Sequence, residues 1–575
     1  MYLKKGKRKD GRVYLSIAEG YHDSERGHTR TVTVKSLGFL DELEKEYEDP
    51  IAHFKQVVRE MNAEKADRKT PVTLSLDPTE QLPVGTSNRK NLGYAVLSQI
   101  YHDLGLHSFL RNRQRNLEAE FNSDSIMKLL VFSRLLYPAS KKKTFMEKDL
   151  FFEKSDFSLD DVYCCLSFLN GLKEDVQLLM HQRIQEQYGR NTDLVYYDVT
   201  NYYFEVDEQD ELRRRGVSKE HRPDPLVQMG LFMGSSGVPI TYRLFPGNTV
   251  DKQTFIPMVR QIANDYSLGR VIVVADKGMT SGDNIWCTLS ASNGYVFSYS
   301  IRGADQRFKD YVLDDTGYTW LSDDYKAKSR LYPRDILVSS TTGREMKKQV
   351  HEKQVIFYSR KYAEKAKADR AAALDKARKL VANPADYTRA TSYGAAKYVK
   401  GLVYDRKTGE ILTNAKNQLS VDEEKLRQEE ELDGYYAIVT SEWKESDEKI
   451  IGIYRGLWKI EESFKVTKSD FETRPVYLST EEHIEAHFLT CFIALVIARL
   501  LENKMNGRYS VTAMLDSLSK ASCSQIQENY FIFDHYDEIL EDMGKEFNID
   551  FSKKYRRLGE IKKILGATKT GPSPQ

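Results

Sequence analysis

Two aspartates interrupt or end apolar segments that are typical of β-strands. Asp198 lies in the segment 194–200 among valine, leucine and tyrosine, and Asp276 ends the segment 270–276. An ionised carboxylate in such a place costs free energy unless it is paired or binds a cation. Each aspartate taken alone is also typical of a residue that caps a turn, whereas the two together favour a shared metal site.

A third carboxylate is predicted on a helix later in the chain. The segment 447–468 has helical periodicity, and Tyr454, Glu461 and Lys468 follow one another at intervals of seven residues. Because this interval drifts by only ~20° per heptad, the helix presents a phenol, a carboxylate and an ammonium on one face. The neighbouring Glu462 points about 100° away, so Glu461 is the better candidate for a metal ligand.

The surroundings of Glu461 allow two interpretations. Glu461 and Lys465 are four residues apart, which is typical of an exposed ion pair worth ~0.3 kcal/mol. Trp458 and Phe464, three residues on either side of Glu461, instead indicate that this face turns towards the protein interior. The presence of the two aspartates favours the second interpretation.

Three carboxylates from two strands and a helix are the ligands that a two-metal phosphoryl-transfer site requires. Hard oxygen ligands favour Mg²⁺ or Mn²⁺, and two ions about 4 Å apart could act on the attacking and the leaving oxygen. The sequence has no glycine-rich phosphate loop, which argues against nucleotide hydrolysis. The histidines lack metal-ligand spacing and the five cysteines are sparse, so neither a zinc site nor a disulfide framework is predicted.

The elements that must hold these side chains predict an α/β domain. Short β-rich segments are followed by a helix at 254–266 and by the apolar strand that ends at Asp276. The pattern is then interrupted, and strand character returns at 434–440. The predicted regions are a basic N-terminal module (1–70), a helical domain (71–190), the first part of the α/β domain (191–302), a mainly β insertion with one charged helix (303–433), the second part of the α/β domain (434–505), and a C-terminal helical region with a basic tail (506–575).

The net charge is almost zero but is unevenly distributed along the chain. The 575 residues contain 86 Lys and Arg against 85 Asp and Glu, a formal charge of +1 that by itself argues against a nucleic-acid partner. The first 38 residues carry nine basic and four acidic residues, and the segment 553–575 carries seven and one. We therefore expect DNA contact to be local. The predicted N-terminal contacts, on a β-hairpin module followed by a charged helix at 41–65, are Lys4, Lys5, Lys7, Arg8 and Lys9.

The sequence predicts a cytoplasmic protein without a membrane role. The longest apolar run, 488–498, has 11 residues, which is short of the ~20 needed to span a bilayer. The basic N-terminus is not followed by the apolar run of a secretory signal. Sparse cysteines fit a reducing compartment.

Five segments together resemble the DDE transposases of bacterial insertion sequences. The resemblance is to the insertion-sequence-four-like superfamily, in its long-chain branch with an N-terminal YLKK-type segment, and it covers nearly the whole chain. The longest of the segments, 454–468, resembles the signature helix of that superfamily. The other four are Tyr197-Asp198-Val199-Thr200, Pro246-Gly247-Asn248-Thr249, Ala275-Asp276-Lys277-Gly278 and Arg474-Pro475-Val476-Tyr477.

The resemblance implies an RNase H-like catalytic core interrupted by the mainly β insertion. It implies that Asp198, Asp276 and Glu461 form the catalytic, metal-binding triad. Tyr454 and Lys468 are implied to contact the phosphates of the transposon ends, and we add Lys465 of the same helix to the predicted DNA contacts.

One position of the signature helix departs from the superfamily. Leu457 stands where that helix has an arginine, and Arg455 and Lys459 are the nearby alternatives.

Aromatic residues of the insertion allow two interpretations. Trp320, with Tyr318 and Tyr325, could stack on an unpaired base, or these rings could form the core of the insertion.

The function expected from the resemblance is DNA transposition. The enzyme would hydrolyse the ends of an insertion sequence with two Mg²⁺ or Mn²⁺ ions, and the freed 3′-hydroxyl would then attack target DNA. The expected partners are double-stranded DNA, as terminal inverted repeats and target, and a second copy of the chain, since two ends must be held together. The expected location is the bacterial cytoplasm, at the nucleoid. The alternatives are a domesticated DNA-binding protein without strand transfer and a metal-dependent DNA nuclease.

Overall fold

The computed structural model describes residues 1–8, 11–23, 28–67, 79, 81, 83–115, 121–219, 222–340, 343–382, 395–400, 419–527 and 529–569. The chain divides into two compact units, Met1–Thr86 and Ser87–Gln575.

The first unit is an antiparallel sheet with helices. Its strands β1 (Tyr2–Lys7), β2 (Val13–Asp23) and β3 (His28–Phe39) lie in chain order, and they are followed by the helices α1 (Leu40–Leu43) and α2 (Pro50–Asp67). Leu15, Leu43 and Phe54 form its small core. The helix predicted over 41–65 is therefore two helices. The Asp49 Oδ1 atom accepts hydrogen bonds from the backbone N–H groups of Ile51 and Ala52, and Pro50 suits a first helical turn but not a helix interior.

The second unit begins with a helical region. Its elements are β4 (Arg89–Asn91), α3 (Tyr94–Asp103), α4 (Leu106–Gln114), α5 (Ser123–Leu136), α6 (Lys141–Met146), α7 (Leu159–Asn170) and α8 (Lys173–Tyr188). Ser158 begins α7 with a capping box shared with Asp161. The apolar spacing along this region predicts these helices, and their apolar faces form a continuous core with the later helices.

A central sheet follows the helical region. Its first elements are β5 (Leu194–Tyr203), β6 (Leu226–Gly234), β7 (Pro239–Pro246), α9 (Asp251–Asp265), β8 (Ile272–Ala275), α10 (Gly282–Ser290) and β9 (Gly294–Tyr299). The strands β5, β6 and β7 are antiparallel neighbours. Strand β8 pairs in parallel with both β5 and β9. The fold class is mixed α/β, as the sequence predicts.

The segment 303–433 widens this sheet with three strands and also forms a separate two-stranded sheet. It contains α11 (Gln306–Leu313), β10 (Thr319–Ser322), β11 (Tyr325–Ser339), β12 (Glu345–Ser359), α12 (Arg360–Ala382), β13 (Val399–Lys400), β14 (Ser420–Val421) and α13 (Glu423–Glu431), and β15 (Tyr435–Thr440) follows it. The nine strands of the central sheet lie in the order β10-β11-β12-β15-β9-β8-β5-β6-β7, and β13 and β14 form the separate sheet. Strand β15 joins the two halves, because it pairs with β12 on one side and with β9 on the other.

The C-terminal part returns to the helical region. It contains α14 (Asp447–Arg455), α15 (Trp458–Lys465), a π-helical turn (Val466–Asp470), α16 (Glu481–Lys504), α17 (Val511–Lys520), β16 (Ser522–Gln527), β17 (Tyr530–Phe533), α18 (Glu538–Phe547), β18 (Tyr555–Arg557) and α19 (Leu558–Ala567). A four-stranded sheet in the order β18-β17-β16-β4 links this part to the start of the second unit.

Helix α16 is the central helix of the helical core. By length and composition it could cross a membrane, but its apolar stretch is completely buried within the protein. The uninterrupted apolar run in the sequence therefore understates the length of this helix. Burial on all sides is what a core helix requires.

Candidate active site

Asp198 and Asp276 lie side by side on parallel strands. Strands β5 and β8 are matched up to the pair Tyr197 and Ala275. Asp198 is the next residue of β5, and Asp276 is the residue that directly follows β8. Matched residues on neighbouring strands point to the same face of a sheet, and their backbones are about 4.8 Å apart. The register of two strands thus brings together carboxylates that are far apart in the sequence.

The same row continues to strand β9. Ser298 follows the matched pair Ala275 and Phe297, and the Ser298 hydroxyl donates a hydrogen bond of 2.8 Å to Asp276 Oδ1. The Tyr454 hydroxyl of α14 donates to the same oxygen at 3.5 Å. Asp198 is held differently, because its Oδ1 atom accepts a 2.8 Å hydrogen bond from the backbone N–H of Val199.

Electrostatics link Glu461 to this pair. The pKa of Asp198 is raised to about 6, chiefly by burial, and the charges of Asp276 and Glu461 raise it further. Lys219 and the Val199 N–H act in the opposite direction. The three predicted carboxylates therefore lie within one another's electrostatic field.

The adjacent glutamate faces elsewhere. Glu462 lies 3.5 Å from the Arg499 guanidinium, which also binds Glu502 at 2.7 Å. Glu461 is exposed and forms no hydrogen bond or ion pair within the described part of the chain. Of the two glutamates, Glu461 is therefore the one whose charge acts on Asp198.

Two lysines lie next to the carboxylates. The Lys219 ammonium donates to the backbone carbonyl of Val199. Burial lowers the pKa of Lys468 to about 8, the charge of Lys219 lowers it further, and Asp198 opposes this shift. Sequence reasoning misses Lys219, because it lies in the irregular segment between β5 and β6, where no periodicity indicates which side chain returns to the sheet.

Tyr454 stays protonated in this environment. Burial raises its pKa above the usual range for tyrosine, the charges of Asp276 and Glu461 raise it further, and a hydrogen bond with Ser298 opposes this shift. The charges of the carboxylate cluster thus act on both Tyr454 and Lys468.

The backbone that carries these residues is not one helix. Helix α14 ends at Arg455 and α15 begins at Trp458, and the π-helical turn Val466–Asp470 follows α15 directly. Gly456 makes the close approach at the junction possible, because a Cβ atom there would lie 2.0 Å from the Tyr196 hydroxyl. That hydroxyl donates a 3.1 Å hydrogen bond to the carbonyl of Ile453. A strand side chain thus sets the position of the helix.

The predictions for the other residues of this segment agree with the structure only in part. Phe464 is buried as predicted, but Trp458 is 55% exposed, so the prediction that it turns inward is wrong. Leu457 is buried in the core. Neither nearby cation replaces the superfamily's arginine at the carboxylates, because Arg455 stacks on the Tyr325 ring and Lys459 donates to the Ser235 carbonyl at 2.7 Å.

The remaining predicted DNA contacts are dispersed. Lys465 is exposed on α15. Trp320 is 55% exposed, which is not a core position, and it lies on the edge strand β10, six strands from β5 or about 29 Å. In the first unit, β1 and the residue after it carry the exposed Lys4, Lys5, Lys7 and Arg8, whereas Lys9 lies outside the described residues.

The carboxylates of the cluster have the chemistry to bind a divalent cation, but they lie too far apart for all three to hold one ion. Carboxylate oxygens are preferred ligands of Mg²⁺ and Mn²⁺, and such an ion would offset both the burial and the carboxylate repulsion that raise the pKa of Asp198. Among the described residues, no group of three or more Asp, Glu, His and Cys side chains is close enough to hold a metal ion. Binding would therefore have to draw the carboxylates together.

Comparisons with known proteins identify two regions. Residues 213–497 match the transposase DDE domain, a range that contains Asp276 and Glu461 and starts after Asp198. Residues 3–72 match the N-terminal domain of the IS1634 family of transposases. The comparison with curated proteins found no match.

Solved structures give only distant similarity. A piggyBac transposase synaptic complex with hairpin DNA aligns over 84% of this chain and 86% of that chain, at 7% identity and a TM-score of 0.32. A Mos1 transposase paired-end complex with the left transposon end aligns over 30% and 57%, at 16% identity and a TM-score of 0.13. From the two family matches, the chain belongs to the DDE transposases, of the IS1634 type of insertion sequence, and is an enzyme that acts on DNA.

Proposed function

We propose that this transposase cuts the ends of its insertion sequence at Asp198, Asp276 and Glu461 and joins the freed 3′-hydroxyl to target DNA. The observation that carries the proposal is the register of β5 and β8, which places Asp198 and Asp276 one residue beyond the matched pair Tyr197 and Ala275. The charges of Asp276 and Glu461 both act on Asp198. Clustered carboxylates with perturbed titration are typical of functional sites. Their origin in two adjacent strands and one helix is what a phosphoryl-transfer site needs.

The topology supports an RNase H-like catalytic core. Three antiparallel strands, β5 to β7, are followed by the parallel strands β8 and β9, in the spatial order β7-β6-β5-β8-β9. In this proposal, residues 303–433 are an insertion that extends the core sheet, and the chain returns to the core at β15.

The three carboxylates would hold the metal, as two Mg²⁺ or Mn²⁺ ions in our proposal. Such ions stabilise the charges that develop on the attacking and leaving oxygens of a phosphodiester. The chain's own groups have separate tasks. Tyr454 orients Asp276 through its hydrogen bond, and Lys468, with Lys465, contacts phosphates next to the cleaved bond.

The proposed partners follow from the reaction. The enzyme binds terminal inverted repeats and target DNA as duplexes, and it acts as a homodimer because two ends must be held together. Its proposed location is the cytoplasm, at the nucleoid.

The test is a cleavage and strand-transfer assay with candidate inverted-repeat DNA and Mg²⁺. The wild-type protein should yield nicked ends and joined products. Asp198→Asn should abolish both while a gel shift shows that end binding persists. Asp193→Asn is the matched control, because Asp193 is exposed just before β5, and it should behave as the wild type.

Other outcomes would decide against the proposal. Cutting by purified Asp198→Asn protein would contradict the assignment of the site. End binding without cutting by the wild type would indicate a domesticated DNA-binding protein. Cutting without joined products would indicate a nuclease.

A further inference from the structure

A positively charged cavity of about 570 Å³ lies in the second unit, apart from the carboxylate cluster. It is lined by Arg134 of α5, by residues 139–142, by Tyr163 of α7, by His487 of α16 and by the segment 472–478. Four of the lining side chains are cations, and Glu472 is the one carboxylate among them. The four cations are Arg134, Lys141, Lys142 and Arg474.

Lys141 is buried in this cavity without a partner. Its side chain is 6% exposed, and it has no hydrogen bond or ion pair within the described parts of the chain. The Nε atom of Arg134, which is 5% exposed, also has no hydrogen-bond partner there. An unpaired buried cation is costly, so an anion that enters the cavity would be stabilised by charge-assisted hydrogen bonds.

His487 and Glu472, which also line the cavity, do not neutralise the positive charge of Lys141 and Arg134. Burial, with the charges of Lys141 and Arg134, holds the pKa of His487 well below its usual range, so His487 is neutral. Glu472 is exposed and no hydrogen bond or ion pair joins its carboxylate to Lys141. Three carbonyl groups, of Phe471, Glu472 and Ala139, accept hydrogen bonds from Arg134.

The cavity lies next to the C-terminal end of strand β5, several residues beyond Asp198. The backbone N–H of Val476 donates to the Tyr203 carbonyl at 3.4 Å, and the Arg474 guanidinium lies 5.9 Å from the Tyr203 ring centre. Tyr203 is five residues from Asp198 on this strand, a span of about 17 Å. Phosphates along one strand of B-DNA are about 3.4 Å apart along the axis, so the span corresponds to about five nucleotides. Lys468, which stacks on Tyr202, lies between the two places.

We propose that the cavity around Lys141 holds a backbone phosphate of DNA bound across the carboxylate cluster. The inference rests on the proposed function, since it needs DNA at Asp198. It assigns DNA binding to the segment 472–478 and to the start of α6, neither of which is among the DNA contacts predicted from the sequence.

The test is equilibrium binding of a linear duplex in EDTA, where no cleavage occurs, over a series of salt concentrations. Removing one phosphate contact lowers the slope of log affinity against log salt by about 0.9. Lys141→Met should lower the slope by about this much. Lys142→Met, exposed at the rim, should lower it by a part of this amount, and Lys143→Met, exposed on the next residue but outside the cavity, should match the wild type.

Unchanged slopes in both Lys141→Met and Lys142→Met would overturn the inference. If Lys141→Met does not fold, as judged by its thermal transition, the exposed pair Lys142→Met and Lys143→Met decides alone.

A second experiment measures the effect of inorganic phosphate and pyrophosphate on thermal stability. If they raise the Tm of the wild type but not of Lys141→Met while the DNA slopes stay equal, the cavity takes a free phosphate compound and the DNA inference is wrong. A wild type that does not bind DNA at all would instead refute the proposed function.

Discussion

Asp198 of β5 and Asp276, directly after the parallel strand β8, occupy equivalent positions one residue beyond the matched pair Tyr197 and Ala275. The hydrogen-bonded pairing of the two strands therefore sets the distance between the two aspartates. Glu461 is positioned by other means, since the course of its helix depends on the contact between Gly456 and Tyr196. The mobile member of the cluster is thus expected to be the glutamate.

The neighbouring glutamates of α15 should differ in their effects. Glu461→Gln should lower the cleavage rate at least about 100-fold, the scale expected when an electrostatic catalytic group is removed. Glu462→Gln should retain cleavage, because its carboxylate pairs with Arg499, which keeps Glu502 as a partner. Cleavage of end DNA by both purified variants checks this, and equal reductions in rate would contradict the separate roles.

Replacing Gly456 should disturb the site through the helix. A Cβ atom at Gly456 would lie 2.0 Å from the Tyr196 hydroxyl, so Gly456→Ala should cost about 1–3 kcal/mol of unfolding free energy and reduce cleavage. Gly452→Ala is the control, since a Cβ atom there meets nothing within 4 Å and alanine favours the helix by up to about 1 kcal/mol. Urea unfolding measures both. Equal stability of the two variants would contradict the close approach.

Removing the Tyr454 hydroxyl should slow cleavage moderately. Hydrogen bonds to charged groups contribute about 1.5–3 kcal/mol, and the 3.5 Å bond to Asp276 is long, so Tyr454→Phe should lower the rate about tenfold. Tyr536→Phe, at an exposed tyrosine, should have no effect. Single-turnover cleavage rates at saturating enzyme test this. An unchanged rate in Tyr454→Phe would show that the hydrogen bond does not position Asp276.

Stability should depend on pH through Lys141. Burial and the charge of Arg134 lower the pKa of Lys141 from its usual 10.5 to about 7. Between pH 7 and 10.5 the unfolded chain therefore binds more protons than the folded chain, and this residue makes the free energy of unfolding rise with pH. The charged or titratable groups that face it are Arg134, Lys142, Glu472, Arg474, His487 and Cys491.

The Lys141→Met variant isolates this contribution. Relative to the variant, the wild type should gain at least about 1 kcal/mol between pH 7 and pH 9, because one pKa unit corresponds to about 1.4 kcal/mol. Below about pH 6 the difference should be constant, since Lys141, with a folded-state pKa of about 7, is then largely protonated in both states. Urea unfolding at several pH values without DNA or phosphate gives the comparison, with Lys143→Met as control. A difference that does not change with pH would contradict the burial of the charge.

The basic first strand should contribute to the salt dependence of DNA binding. Lys4, Lys5 and Lys7 are exposed on β1, and the removal of each phosphate contact lowers the salt slope by about 0.9. The triple Gln variant should therefore lower the slope by up to about 2.7. An equivalent change at the exposed Lys361, Lys365 and Lys376 of α12 serves as the control. If the triple variant binds with the wild-type slope, the first strand does not contact DNA.

The carboxylate cluster could be predicted because its residues obey local rules. Asp198 and Asp276 are conspicuous as charges in apolar strands, and Tyr454, Glu461 and Lys468 share the spacing of one helical face. Other predictions failed where local rules do not apply. Trp458 is exposed although it is aromatic, and the helix 447–468 is broken because a distant strand supplies Tyr196.

The sequence by itself determined the α/β class and the order of the elements, and it predicted the three carboxylates, since these depend on periodicity and on the cost of burying charge. The tertiary structure alone decided the register that aligns Asp198 with Asp276, the return of Lys219 to the site, the joining of β11 and β12 to the central sheet, and the cavity around Lys141. The physical reason is that these features depend on contacts between residues far apart in the chain. No local pattern of residue types specifies such contacts.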